Sequence, residues 1–149
     1  MSEPSPLVIA KILVPLDFGD SSLNALRYAK GLAERFGSAL QLLHVVPNPY
    51  VPNVYLPMPL PTGFLDDLVR DAGKRMDELL PAAEREALRA STFVKVGDAR
   101  AGILDQAAEE KVDLIVMGTH GRKGAAHLFL GSVAENVLRV APCPVLVVR

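Results

Sequence analysis

Hydrophobic and polar positions along the chain follow two alternating periods. Lys11–Leu16 (KILVPL) is a short apolar run and predicts a buried strand, with Pro15 near its end, where a missing donor matters least. Leu23, Leu26, Ala29, Leu32, Ala33 and Phe36 then recur three or four apart, the stripe of an amphipathic helix. Asp20, Ser21 or Ser22 is expected to cap that helix, and Gly37 to end it. Ala39–Val46 (ALQLLHVV) predicts a second buried strand. From Phe64 to about Ala90 the pattern is helical, with Leu65, Leu68, Ala72, Met76, Leu79 and Ala83 on one face and Pro81 kinking or dividing it. Ser91–Val96 predicts a strand and Ala99–Lys111 a helix using Ile103, Leu104, Ala107 and Ala108. Val112–Met117 predicts a strand, Ser132–Val140 a helix and Pro144–Val148 a last strand.

Apolar strands separated by helices indicate a parallel sheet covered on both faces, an α/β doubly wound architecture. In such sheets a ligand cleft lies outside the carboxyl ends of the strands, at the switch point. The segments to inspect follow Leu16, Val46, Val96 and Met117. Between the second strand and the long helix, Pro47–Pro61 holds six of the twelve prolines together with Tyr50 and Tyr55. It predicts a long surface loop, either a lid near the cleft or a plain connection.

At 149 residues the chain fits one domain, with residues 1–8 as a flexible tail and 47–62 as the proline-rich loop. Sixteen basic against seventeen acidic residues give a net charge of −1, so a general grip on nucleic acid or on an anionic membrane is not expected. No tryptophan is present and aromatic content is 5%, which argues against a stacking platform for single strands. No apolar run approaches the ~18 residues that span a bilayer. The N-terminus, MSEPSP, does not read as a secretory signal. Cys143 stands alone, so neither an internal disulfide nor a multi-cysteine zinc site is available; it is expected to be a small buried hydrophobe. A cytoplasmic setting follows as the expectation.

The chemistry concentrates in Gly118–Ser132 (GTHGRKGAAHLFLGS), between a strand end and a helix start. Gly118 and Gly121 remove side chains where a ligand would approach the backbone. Gly131 and Ser132 open a helix whose bare amides and positive dipole end suit a phosphate. Leu114 to Ala134 holds no carboxylate, yet carries His120, Arg122, Lys123 and His127. The segment is not a P-loop: Gly97 and Gly102 have that spacing, but Ile103 and Leu104 follow where Lys and Ser/Thr are needed. No G-x-G-x-x-G is present.

The spacing G-x2-G-x9-G-S, realised as Gly118, Gly121, Gly131 and Ser132, resembles the nucleotide-binding signature of the universal stress protein family. The resemblance extends over nearly the whole chain, through KILVPLDFGDSS, LLHVV, DLIVMGTHGR and GSVAENVLRVAPCPVLVV, in that order. It implies a five-stranded parallel sheet of order 3-2-1-4-5, an adenine-nucleotide α-hydrolase-like fold. It also implies the ATP-binding branch, since no motif glycine is replaced. By that likeness Pro15 belongs to the cofactor site, Asp17 lies against the adenine or ribose, and Val45 lies beside the adenine. Met117 and Gly118 border the ribose and first phosphates. Gly121, Arg122, Gly131, Ser132 and Val133 surround the phosphates. A metal ion, Mg²⁺ or Mn²⁺, could accompany the ATP, and a homodimer through the strand at 144–148 is implied.

Other roles stay open from the residues alone. Asp17 could close a turn, although Asp20, Ser21 and Ser22 are placed to cap the helix and leave it free. His44 reads as a buried, satisfied histidine, and Ser132 as an N-cap as well as a phosphate neighbour. A nucleotide site is not yet a hydrolysis site, because phosphoryl transfer needs a positioned acceptor, charge neutralisation and usually a metal. The resemblance implies an ATP-binding regulatory or stress-protective protein, with at most slow hydrolysis. The alternatives are a slow ATPase or phosphotransferase, with Asp17 organising metal and His120 assisting, and a dimeric interaction module whose nucleotide site stays empty.

Overall fold

The apolar runs become five strands: β1 (Lys11–Pro15), β2 (Ala39–Val46), β3 (Ser91–Val96), β4 (Leu114–Gly118) and β5 (Val145–Val148). The computed structural model describes residues 5–49, 59–119 and 130–149. The strands form one parallel sheet in the order β3-β2-β1-β4-β5, as the family resemblance implied. Ile12 pairs with Leu40 on one side and Leu114 on the other, which puts β1 at the centre.

The central strands are apolar on both sides because helices cover both faces. Alternate residues divide between two cores. Ile12, Val14, Leu40, Leu42 and Val116 pack with helices α1 (Asp20–Phe36) and α2 (Phe64–Leu79). Leu13, Leu43, Ile115 and Met117 pack with α4 (Ala99–Glu109) and α5 (Ser132–Val140). Each such side chain, fully buried, stabilises the fold by about 1.5–3 kcal/mol before entropy is counted.

The helix expected from Phe64 to about Ala90 is two helices, α2 and a short α3 (Ala82–Ala87). Pro81 cannot donate a helical hydrogen bond, and it forces Leu80 into an extended conformation (φ −128°, ψ 108°). The break turns Leu80 into the first core, where it is 1% exposed.

Two helix ends also differ from expectation. The N-cap of α1 is Gly19, with no side-chain cap, in place of Asp20, Ser21 or Ser22. The helix α4 stops at Glu109, because Lys111 adopts a left-handed conformation and the Val112 amide returns to the Ala107 carbonyl. Gly37 ends α1 in the left-handed region, as expected. Cys143 is half-buried against the second core; burial, and then the Asp113 carboxylate, push its thiol pKa up.

Candidate functional site

At the carboxyl ends of β1 and β4 the chain diverges towards opposite faces of the sheet, and a cleft opens there. Its volume is about 180 Å³. Eight of the ten residues expected at a site line it: Pro15, Asp17 and Val45 from one side, and Met117, Gly118, Gly131, Ser132 and Val133 from the other. Gly121 and Arg122 lie outside the described residues, as do His120, Lys123, His127 and residues 50–58 of the proline-rich loop.

Asp17 is not left free by neighbouring caps. Its Oδ1 accepts from the Ser22 hydroxyl at 2.7 Å and from the Gly19 amide at 2.9 Å. The expectation failed because the serine meant to relieve it points inward: Ser22 is 4% exposed and spends its hydroxyl on Asp17. Oδ2 accepts no hydrogen bond among the described residues, which leaves one oxygen for a donor in the cleft.

The two described motif glycines line the cleft and are also engaged by the protein itself. Gly118 lacks a side chain because the protein itself needs the room: a Cβ there would lie 2.7 Å from the Ser21 carbonyl carbon at the start of α1. The Gly131 amide is not bare, since it donates to the Thr119 carbonyl at 2.6 Å. Gly131 is the N-cap of α5, so Ser132 is the first helical residue and not the cap. The bare donors are therefore the next three. The amides of Ser132, Val133 and Ala134 have no backbone acceptor among the described residues, and all three residues line the cleft. They carry the partial positive charge of the helix end.

The opposite wall is apolar. Val45 faces α4, where Gly102 makes room for it; a Cβ on Gly102 would come within 2.8 Å of a Val45 methyl. Leu43 and Ile103 complete that wall. His44 lines the cleft half-buried, with Nδ1 at 2.6 Å from the Leu16 carbonyl and its ring 4.6 Å from that of Phe18. The Arg75 guanidinium lies 4.0 Å from the Phe18 ring centre.

Sequence reasoning missed Ser22, Thr119, Ala99 and Ile103 as lining residues. One signal for the last two was available: Asp98 caps α4 by accepting from the Ala101 amide, so the first turn of that helix starts beside a strand end. Among the described residues no group of three His, Cys, Asp or Glu side chains could hold a metal ion. None of their helices is long and apolar enough to cross a membrane.

The pattern of the universal stress protein family matches residues 9–149. Universal stress protein MJ0531 of Methanocaldococcus jannaschii is 35% identical over 140 residues, covering 93% of this chain and 81% of that protein. The solved structure of universal stress protein UspA from Lactobacillus plantarum superposes with a TM-score of 0.77 at 28% identity, covering 97% of this chain and 100% of that one. Two more distant structures share the fold. One is a universal stress protein in complex with cAMP (TM-score 0.65, 24% identity, 94% and 97% covered). The other is the Archaeoglobus fulgidus protein in complex with dAMP (TM-score 0.67, 21% identity, 96% and 100% covered). By its matched length and its relatives, this chain belongs to the universal stress protein family.

Proposed function

We propose that the cleft binds ATP and that the chain is a nucleotide-binding regulatory or stress-protective homodimer with at most slow hydrolysis. The observation that carries this reading is the row of bare amides at Ser132, Val133 and Ala134, set opposite an apolar wall in one cleft. Phosphate suits the helix end by charge and by hydrogen bonding. A flat base suits the wall of Val45, Leu43 and Ile103. Between them, the Oδ2 of Asp17 and the backbone at Pro15 offer acceptors to a ribose hydroxyl or the adenine amino group. Met117 and Gly118 border the ribose, and Gly121 and Arg122 belong to the same phosphate site by the family motif.

Binding is favoured over turnover for a chemical reason. Asp17 is the one carboxylate among the described lining residues, and its Oδ1 is already spent. With a single free carboxylate oxygen, the site has little with which to hold Mg²⁺ or Mn²⁺ against the phosphates. The proposed homodimer uses β5, a reading supported by an edge strand whose Leu146 is 38% exposed beside the partly open Val145 and Val147. The cytoplasm, where ATP is abundant, is the setting that goes with this reading.

The test is native mass spectrometry of the purified full chain incubated with ATP. A dimer carrying two nucleotides, with no more than slow phosphate release, supports the proposal. A mass without nucleotide under saturating ATP overturns it.

A further inference from the structure

We infer that Ser22 is a positioning residue for this site: it clasps one oxygen of Asp17 and so fixes the other as the single acceptor offered to the ligand. The inference rests on the nucleotide reading above and adds a determinant of selectivity outside the glycine signature G-x2-G-x9-G-S.

The clasp has two strands. The Asp17 amide donates to the Ser22 hydroxyl oxygen at 3.3 Å, and that hydroxyl has two acceptors in reach, Asp17 Oδ1 at 2.7 Å and the Gly19 carbonyl at 3.1 Å. A hydroxyl carries one proton, and the shorter, charge-assisted bond to the carboxylate takes it. The Gly19 amide adds a second donor to the same oxygen at 2.9 Å. Oδ1 is thereby filled, and a turn of the carboxylate would break both bonds and leave the buried Ser22 hydroxyl only the longer, uncharged contact with the Gly19 carbonyl.

The backbone carries an independent mark of the same constraint. Phe18, between Asp17 and Gly19, sits at φ 64°, a left-handed conformation that is unfavourable for a bulky residue. Such strain persists only where its surroundings over-determine it. Here the clasp gathers Asp17, Gly19 and Ser22 around that residue.

A clasped Asp17 recognises a hydrogen-bond donor along one direction: a nucleoside hydroxyl or amino group. A carboxylate free to rotate would accept donors, or a cation, in several geometries. Ser22 thus acts on the nucleoside end of the ligand and leaves the phosphate end alone.

A double-mutant cycle tests this on the full chain, with ATP and inorganic tripolyphosphate as probes in calorimetry. Ser22→Ala is expected to weaken ATP binding about tenfold. Tripolyphosphate affinity is expected to be unchanged. In the Asp17→Asn background, Ser22→Ala is expected to add less than about a twofold loss, because its route runs through the carboxylate. Ser22→Thr, which keeps the hydroxyl, restores ATP affinity. If Ser22→Ala does not fold, the near-isosteric Ser22→Cys, a weak donor, carries the same expectation. An equal loss in both backgrounds, or an equal loss for both probes, overturns the role of Ser22 while the nucleotide reading stands. Absence of ATP binding by the unaltered chain overturns both.

Discussion

Gly118 and Ser21 stand so close that a Cβ on residue 118 would lie 2.7 Å from the Ser21 carbonyl carbon and 2.8 Å from its oxygen. The Ser21 hydroxyl is the nearest atom in the way, and behind it lies the backbone of α1, which cannot swing aside as a side chain would. The end of β4 and the start of α1 are thus fitted to each other before any ligand arrives. Gly118 and Ser22, the residue next to Ser21, both line the cleft.

Gly118→Ala is therefore expected to destabilise the protein without any nucleotide present. Overpacking of this kind costs about 1–3 kcal/mol, a fall of several degrees in melting temperature for a domain this size. Thermal unfolding of the ligand-free protein measures it. An unchanged melting temperature would mean that the glycine serves the ligand alone.

Gly102→Ala probes the apolar wall. The new Cβ would press on a Val45 methyl at 2.8 Å, and valine has few rotamers in which to retreat. Overpacking that pushes Val45 into the cleft costs about 1–3 kcal/mol, roughly five- to a hundred-and-fiftyfold in ATP affinity. The gain of alanine over glycine inside a helix, about 1 kcal/mol, offsets part of the strain, so the melting temperature should move little. Calorimetry with ATP that shows no loss would remove Val45 from the base-binding wall.

How much of this was legible in the sequence depends on the range of each interaction. The strands were visible because each apolar run is a local signal, and Pro81 announced a break that cannot be avoided. Gly118, Gly131 and Ser132 stood out as a strand end and a helix start, whereas the sheet order and Pro15, Val45 and Val133 were legible only through the family resemblance, which encodes a whole fold at once. The fate of Asp17 was not legible, because it depends on which way Ser22 points. The Gly131 amide was assigned to a ligand when it belongs to Thr119, a partner that only the folded bend brings near. The reason for Gly118 lay in Ser21, nearly a hundred residues away along the chain.

Leu146→Arg addresses the proposed dimer. A charge on the exposed face of the edge strand β5 would be buried unpaired in a self-complementary interface. The expected result is a monomer, with association weakened by about 2 kcal/mol or more, roughly thirtyfold. Size-exclusion chromatography across a dilution series reads it. A dimer of undiminished stability would place the interface elsewhere.

The most direct test of the central claim removes one amide hydrogen and nothing of the helix. Ser132 is the first residue of α5, and Gly131 before it is extended (φ −62°, ψ 153°). Both conformations suit a proline at position 132, which deletes the N–H without breaking a helical bond. Calorimetric titration of Ser132→Pro with ATP, alongside Ser132→Ala as the control for the hydroxyl, isolates that donor. The account predicts a loss of about 1.5–3 kcal/mol, roughly ten- to a hundred-and-fiftyfold, beyond that of the alanine variant. Equal affinities for the proline and alanine variants, with helix and fold intact, would contradict it.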